Sequence, residues 1–155
     1  MTTTSSWISL PAATVGDLEA ELARRAAEEE QRREEAAKAA EVREAEGREL
    51  AKRAPAQVRA WAERIAALSA EQGRPTPDLR SRARGALLRH EWGPFLEHDD
   101  VAAELQAIAT EAGALLGRLE GYGADEQLLV DVDALECAAF AATWARIHFV
   151  AGVES

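Results

Sequence analysis

The spacing of apolar residues divides the chain into a poor stretch followed by a rich one. From Ala23 to Glu49 the only large apolar residue is Val42. From Val58 onward, stripes at helical spacing follow one another. Val58, Trp61, Ile65 and Leu68 repeat at 3, 4 and 3 and predict a core-facing helix that Gly73-Arg74-Pro75-Thr76-Pro77 ends. Thr76 and Pro77 are suited to cap and begin the next helix, running through Leu79, Ala83 and Leu87 to about Glu91. Trp92-Gly93-Pro94-Phe95-Leu96 then reads as an apolar corner. Asp99 or Asp100 caps a further helix, where Val101, Leu105, Ile108, Ala112, Leu115 and Leu119 repeat at 4, 3, 4, 3 and 4. After the Gly121-Tyr122-Gly123 turn, the last helix runs from about Asp125 to Val150. It is read as apolar on two faces: Leu128, Val132, Leu135, Ala139, Ala142 and Phe149 on one, and Cys137, Phe140, Trp144, Ile147 and Ala151 on the other. Such a helix is covered on two sides, as the centre of a bundle or as part of an oligomer interface. The alternation in Leu129-Val130-Asp131-Val132-Asp133 also admits a short strand.

The poor stretch is a different kind of helix. Thr14 can open it with a side-chain cap, and Asp17 can complete a capping box. Leu18 and Leu22 begin an apolar stripe that soon thins. Glu28 and Arg32, Glu29 and Arg33, Glu34 and Lys38, Glu44 and Arg48, and Glu49 and Arg53 each stand four apart with Glu first. Each such pair contributes only about 0.2–0.5 kcal/mol, but the helix propensity of Ala and Glu adds to them. Residues 17–53 are therefore expected to be helical with little tertiary help, on the order of 55 Å long. A leucine-zipper dimer through this stretch is disfavoured, because its seam would be Ala, Arg and Glu. Pro55 is expected to end or kink the helix at Ala54, or to start the next one. The expected organisation is an extended arm or tail over 1–13, a long charge-rich helix over 14–54, and a helical bundle over 55–152. Trp7, Ile8 and Leu10 put three large hydrophobes into the first segment, where they can dock on another surface.

Composition supports an all-α fold. Hydrophobic residues make up 47% of the chain, but Ala supplies much of this and aromatics only 5%. Ala, Glu, Arg and Leu dominate, as in long helices, and β-branched residues are too scattered to write strands. Lys38 and Lys52 are the only lysines, a skew that points to a GC-rich genome, bacterial or of a phage growing in such a host. The most apolar window, Ala134 to Gly152, contains Glu136, Arg146 and His148 and reads as a buried helix, not a membrane span. Met1 to Trp7 lacks the basic n-region and long apolar run of a signal peptide. These features lead to the expectation of a soluble protein, cytoplasmic or assembled into a virion inside the host cell.

The formal charge is −10, and residues 97–136 carry it: eleven carboxylates there face Arg118 alone. Arg74, Arg80, Arg82, Arg84 and Arg89 make the stretch before it basic. They could bind phosphate, but they are spread around the helix and the molecule is acidic as a whole. Docking against the acidic half of the chain's own fold or against a neighbouring subunit is the preferred reading, and nucleic acid is not expected as a partner.

No chemical constellation emerges. The densest metal-like group is Glu97, His98, Asp99 and Asp100, with His90 nearby, but consecutive residues at a helix start point different ways. No Glu-x-x-His, His-Glu-x-x-His or paired-cysteine motif is present. Cys137, the single cysteine, has no basic neighbour to activate it and reads as a small buried hydrophobe. No cofactor, metal or catalytic residue is expected. The preferred expectation is a non-catalytic helical assembly or adaptor protein that works through protein contacts, with Trp7, Ile8, Leu10, Phe140, Trp144 and Ile147 as contact residues. A phage scaffold or connector subunit is a concrete version of it. The alternatives are an acidic regulator that occupies a basic site on a partner, and a metal-dependent bundle enzyme using His90, His98 and nearby carboxylates.

Overall fold

A computed structural model describes residues 13–71 and 73–153. Trp7, Ile8 and Leu10 lie outside the described residues. Among those described there are five helices and no strand. They are α1 (Ala13–Ala70), α2 (Pro77–Arg89), α3 (Gly93–Leu96), α4 (Asp100–Tyr122) and α5 (Glu126–Ala151). The expected architecture, a long charged helix followed by a small helical bundle, is the one found. The chain divides into two compact units, Met1–Glu44 and Ala45–Ser155.

In the first unit α1 is held by its own side chains. Arg24 pairs with Glu21 and Glu28, Arg25 with Glu21 at 3.0 Å, and Arg33 with Glu29 at 2.8 Å. Glu28 thus turns back to Arg24 rather than forward to Arg32. Thr14 lies within the helix, which begins one residue before the expected cap. The apolar side chains Val15, Leu18, Leu22 and Val42 are all more than half exposed.

In the second unit α1 runs on through Pro55 to Ala70, so of the outcomes expected at Pro55 the helix end and the new helix start are excluded. The physical reason lies in which side the proline occupies. Pro55 is exposed, so its ring meets solvent and not the packed side of the helix. Meanwhile Ala54 and Leu68 are buried, and Leu50, Val58, Trp61 and Ile65 half-buried, against α4 and α5. Burial of large apolar side chains, at about 1.5–3 kcal/mol each, offsets the roughly 3 kcal/mol that an interior proline costs.

The remaining helix boundaries follow the caps. The Thr76 hydroxyl accepts from Leu79 N at 3.1 Å, with Pro77 in the first turn. α2 ends on His90, in the left-handed region at φ 55°. Of the two candidate caps before α4, Asp99 is the one used, accepting from Ala102 N at 3.0 Å. Gly123 closes α4 and Gly152 closes α5, both at positive φ. The core is layered along α5: Val132 with Leu115, Leu119 and Ala54; Ala139 with Leu105, Ile108 and Leu68; and Ile147 and Val150 with Phe95, Ala83 and Ala86.

Three expectations for α5 are corrected. Residues 129–133 are helical, so the strand alternative falls. Cys137 is exposed, not buried. The two apolar faces merge into one broad inward side built on Val132, Leu135, Ala139, Thr143, Arg146, Ile147 and Val150. At 100° per residue these positions span an arc that α4 covers at one edge and the α2–α3 corner at the other. Cys137 falls outside that arc, and Phe149 stands at its margin.

Candidate protein-interaction site

The residues singled out for chemistry or contact settle mainly into structural roles. Ile147 is fully buried by its own chain, so it is a core residue and not a contact residue. Its cover is the expected apolar corner: Trp92 stacks on Phe140 at 5.8 Å and packs tilted against Trp144 at 4.7 Å between ring centroids, while Phe95 is buried beneath. Phe140 and Trp144 remain half-exposed at the edge of this cluster.

The acidic group around His98 does not assemble. Asp99 turns inward and accepts two hydrogen bonds from Arg146, Nε and Nη2, each at 2.9 Å. This bidentate pair is buried, and Arg146 also lies over the Phe149 ring at 5.7 Å. Asp99 therefore caps α4 and ties it to α5 with one carboxylate. Asp100, Glu97 and His98 are exposed, and His90 is the exposed cap of α2. His148 sits on its own helix, with Nδ1 2.7 Å from the Trp144 carbonyl. No group of three or more His, Cys, Asp or Glu among the described residues could hold a metal ion.

The arginines of α2 mainly serve the fold. Arg82 pairs with Asp78 at 2.9 Å, and Arg84 Nε donates to the Ala151 carbonyl at 3.0 Å. The Arg80 guanidinium lies beside Gly152. Two cations thus meet the C-terminal end of α5, where unsatisfied carbonyls and the helix dipole favour positive charge. They dock on the chain's own fold, as preferred, but on a helix end instead of on acidic side chains.

The open apolar feature of the second unit lies elsewhere, between α1 and α4. A groove of about 340 Å³ is lined by Leu50, Arg53, Ala54, Gln57 and Trp61 from α1 and by Glu111, Ala114, Leu115 and Arg118 from α4. Ala54 and Ala114 are the smallest residues of its lining. Trp61 and Leu50 are only half-buried at its floor. Arg53 and Arg118 stand at its rims, exposed, and neither makes an ion pair or hydrogen bond among the described residues. The lining is mainly apolar, and Arg53 and Arg118 share it with the exposed carboxylate of Glu111.

Sequence reasoning missed this site because it placed a helix boundary at Pro55 and so separated Leu50 and Ala54 from Trp61. One signal was available: Arg118 is the lone cation among eleven carboxylates. Arg146 was noticed only as a charge that argues against a membrane span. No helix among the described residues is long and apolar enough to cross a membrane. Compared with known proteins, the chain matches no family model, no curated protein and no solved structure.

Proposed function

We propose that this is a non-catalytic helical assembly protein that works through protein–protein contacts. The observation that carries the reading is the α1–α4 groove, apolar at its floor and bordered by unpaired Arg53 and Arg118. The exposed stripe of Val15, Leu18 and Leu22 adds to it, since an apolar row on a charged helix is a surface suited to burial against a partner. Self-association is the form of assembly these features favour. A scaffold or connector component of a phage particle is a concrete version, supported by the helix-rich build and the arginine-over-lysine bias. Sedimentation of the full chain over a range of concentration and salt tests the reading. It expects a species heavier than the monomer that persists at high salt, because a packed apolar contact is little screened. A monomer at every concentration up to about 100 µM would sink it.

A second reading rests on a separate observation. Glu111, Glu120, Glu126, Asp131 and Asp133 are all exposed on the second unit, as befits an acidic regulator seated in a basic site of a partner. That protein would be a monomer and would lose its partner as salt rises.

A further inference from the structure

The α4 bank of the groove is complementary to itself. We infer that the groove receives a second copy of this chain, α4 against α4 in antiparallel order about a two-fold axis, an inference that rests on the assembly reading above. Glu111 stands three residues before Ala114, and Arg118 three residues after Leu115. All four line the groove. With the axis passing between Ala114 and Leu115, Glu111 of each copy stands opposite Arg118 of the other, and the contact holds two identical ion pairs. Both side chains are exposed, and neither makes an ion pair or hydrogen bond among the described residues, so both can turn to a second copy. Parallel order would set Glu111 against Glu111 and Arg118 against Arg118, which repel. The charge pattern therefore selects one direction.

The surface between these charges permits the approach. Ala107, Thr110, Ala114 and Gly117 are exposed on α4 at spacings of 3, 4 and 3, and none has a side chain long enough to hold a second helix away. On the α1 bank Leu50 and Trp61 are only half-buried, so a second copy has apolar surface to cover there. The third lining charge, Arg53, has no lining carboxylate left to meet, so the two Glu111–Arg118 pairs are the whole of the charge match. Every residue of the contact belongs to the second compact unit. Both copies present the same surface, so one contact of this kind closes a dimer. The ion pairs choose partner and direction, whereas the apolar strip supplies the part of the contact that salt does not screen.

Charge reversal tests the match in the full chain. Glu111→Arg gives a copy with two cations at these positions, and Arg118→Glu a copy with two carboxylates. Each alone should self-associate on the order of tenfold more weakly at low salt, read by sedimentation, because like charges then meet. An equimolar mixture of the two should form a heterodimer at least as tightly as the unaltered chain pairs. The chain carrying both changes should dimerise again, since its pairs are rebuilt with their signs exchanged. Ala114→Trp, which leaves the charges intact, should weaken association on the order of a hundredfold by keeping the helices apart. All three positions are exposed, so far-UV circular dichroism and thermal melting should report folded protein, and recovery in the mixture shows that a loss is not one of folding. If the unaltered chain associates but the single reversals or Ala114→Trp leave it intact, or the mixture does not recover, this contact is wrong while the assembly reading stands. If the unaltered chain is a monomer up to about 100 µM, both fail together.

Discussion

Between Glu21 and Arg33 the described side-chain contacts of α1 join residues three or four apart on that helix. Between Leu50 and Leu68 the same helix carries a row of apolar residues packed against α4 and α5. The backbone is alike in both stretches, but the physics that holds it differs. In the first, exposed ion pairs worth a few tenths of a kcal/mol each add to favourable propensity, and any one of them can be lost alone. In the second, burial is shared among helices, so the stretch opens only when its neighbours do. The difference is one of coupling: the first stretch can open without disturbing the bundle, while the second is part of it.

The comparison is exposed most sharply by amide exchange. Residues 24–43 should exchange through local opening, whereas residues 105–119 of α4 should wait for near-global unfolding. The expected gap in protection is about a thousandfold or more in dilute protein. Equal protection of both stretches in a verified monomer would show that something other than local pairing holds the first one.

Ion pairs test the same contrast at single residues. Asp99→Ala leaves Arg146 buried without its carboxylate and removes the cap of α4, so it should cost about 3–5 kcal/mol in urea unfolding. Arg24→Ala, which breaks two exposed pairs at once, should cost less than about 0.5 kcal/mol. Replacing both partners, Asp99→Ala with Arg146→Leu, should recover part of the first loss, because the stranded charge is then gone. A loss for Asp99→Ala as small as that for Arg24→Ala would mean that the buried pair does not tie α4 to α5.

How much of this was legible in sequence follows from which interactions are local. The cap at Thr76, the stripe from Leu105 to Leu119 and the Glu29–Arg33 pair involve residues within one helix or its flanks, and spacing alone indicates them, whereas it left Asp99 and Asp100 both open and pointed Glu28 to Arg32 instead of Arg24. Pro55 was misread because its penalty is local while the compensation, Trp61, Ile65 and Leu68 seated on α4, is not. Cys137 and Ile147 were misplaced for a related reason. Spacing shows that α5 is broadly apolar, but which edge is covered depends on where the Trp92–Phe95 corner lands. The groove was hidden because it is a property of two helices, and its small residues, Ala54 and Ala114, give no signal individually.

Two helix-interior glycines sharpen the comparison at smaller energies. Exchanging glycine for alanine within a helix ordinarily gains about 1 kcal/mol. At Gly113 the added methyl meets only the mobile end of Glu136, so Gly113→Ala should stabilise the protein by about 0.5–1 kcal/mol. At Gly47 it meets the Tyr122 ring and its Cβ, which cannot swing aside as freely. Overpacking of this kind costs about 1–3 kcal/mol, so Gly47→Ala should be net destabilising despite better propensity. Thermal melting of the pair decides: a gain at Gly47 equal to that at Gly113 would mean that α1 is not pressed against the end of α4.

The smallest effect concerns two carboxylates with similar chemistry and different reach. Hydrogen bonds from Arg24 and Arg25 hold Glu21 below the usual carboxylate range, and a hydrogen bond from Arg64 does the same for Glu104, against a weaker opposing effect of burial in each case. The Arg64–Glu104 bridge joins α1 to α4 with contacts of 2.5 and 2.8 Å, whereas the Glu21 pairs stay within one helix. A carboxyl whose folded value is depressed contributes stability that is present above its unfolded value and lost as pH falls through the folded one. Glu104→Gln should therefore lower unfolding stability slightly at neutral pH. That deficit should shrink as the pH falls below the ordinary glutamate range, and also as salt is added, because the bridge is exposed. Glu21→Gln should leave global unfolding unchanged at every pH and alter only the local exchange of the first stretch of α1, since that stretch opens before the bundle does. A pH-dependent loss of global stability in Glu21→Gln as large as in Glu104→Gln would mean that the two stretches unfold as one.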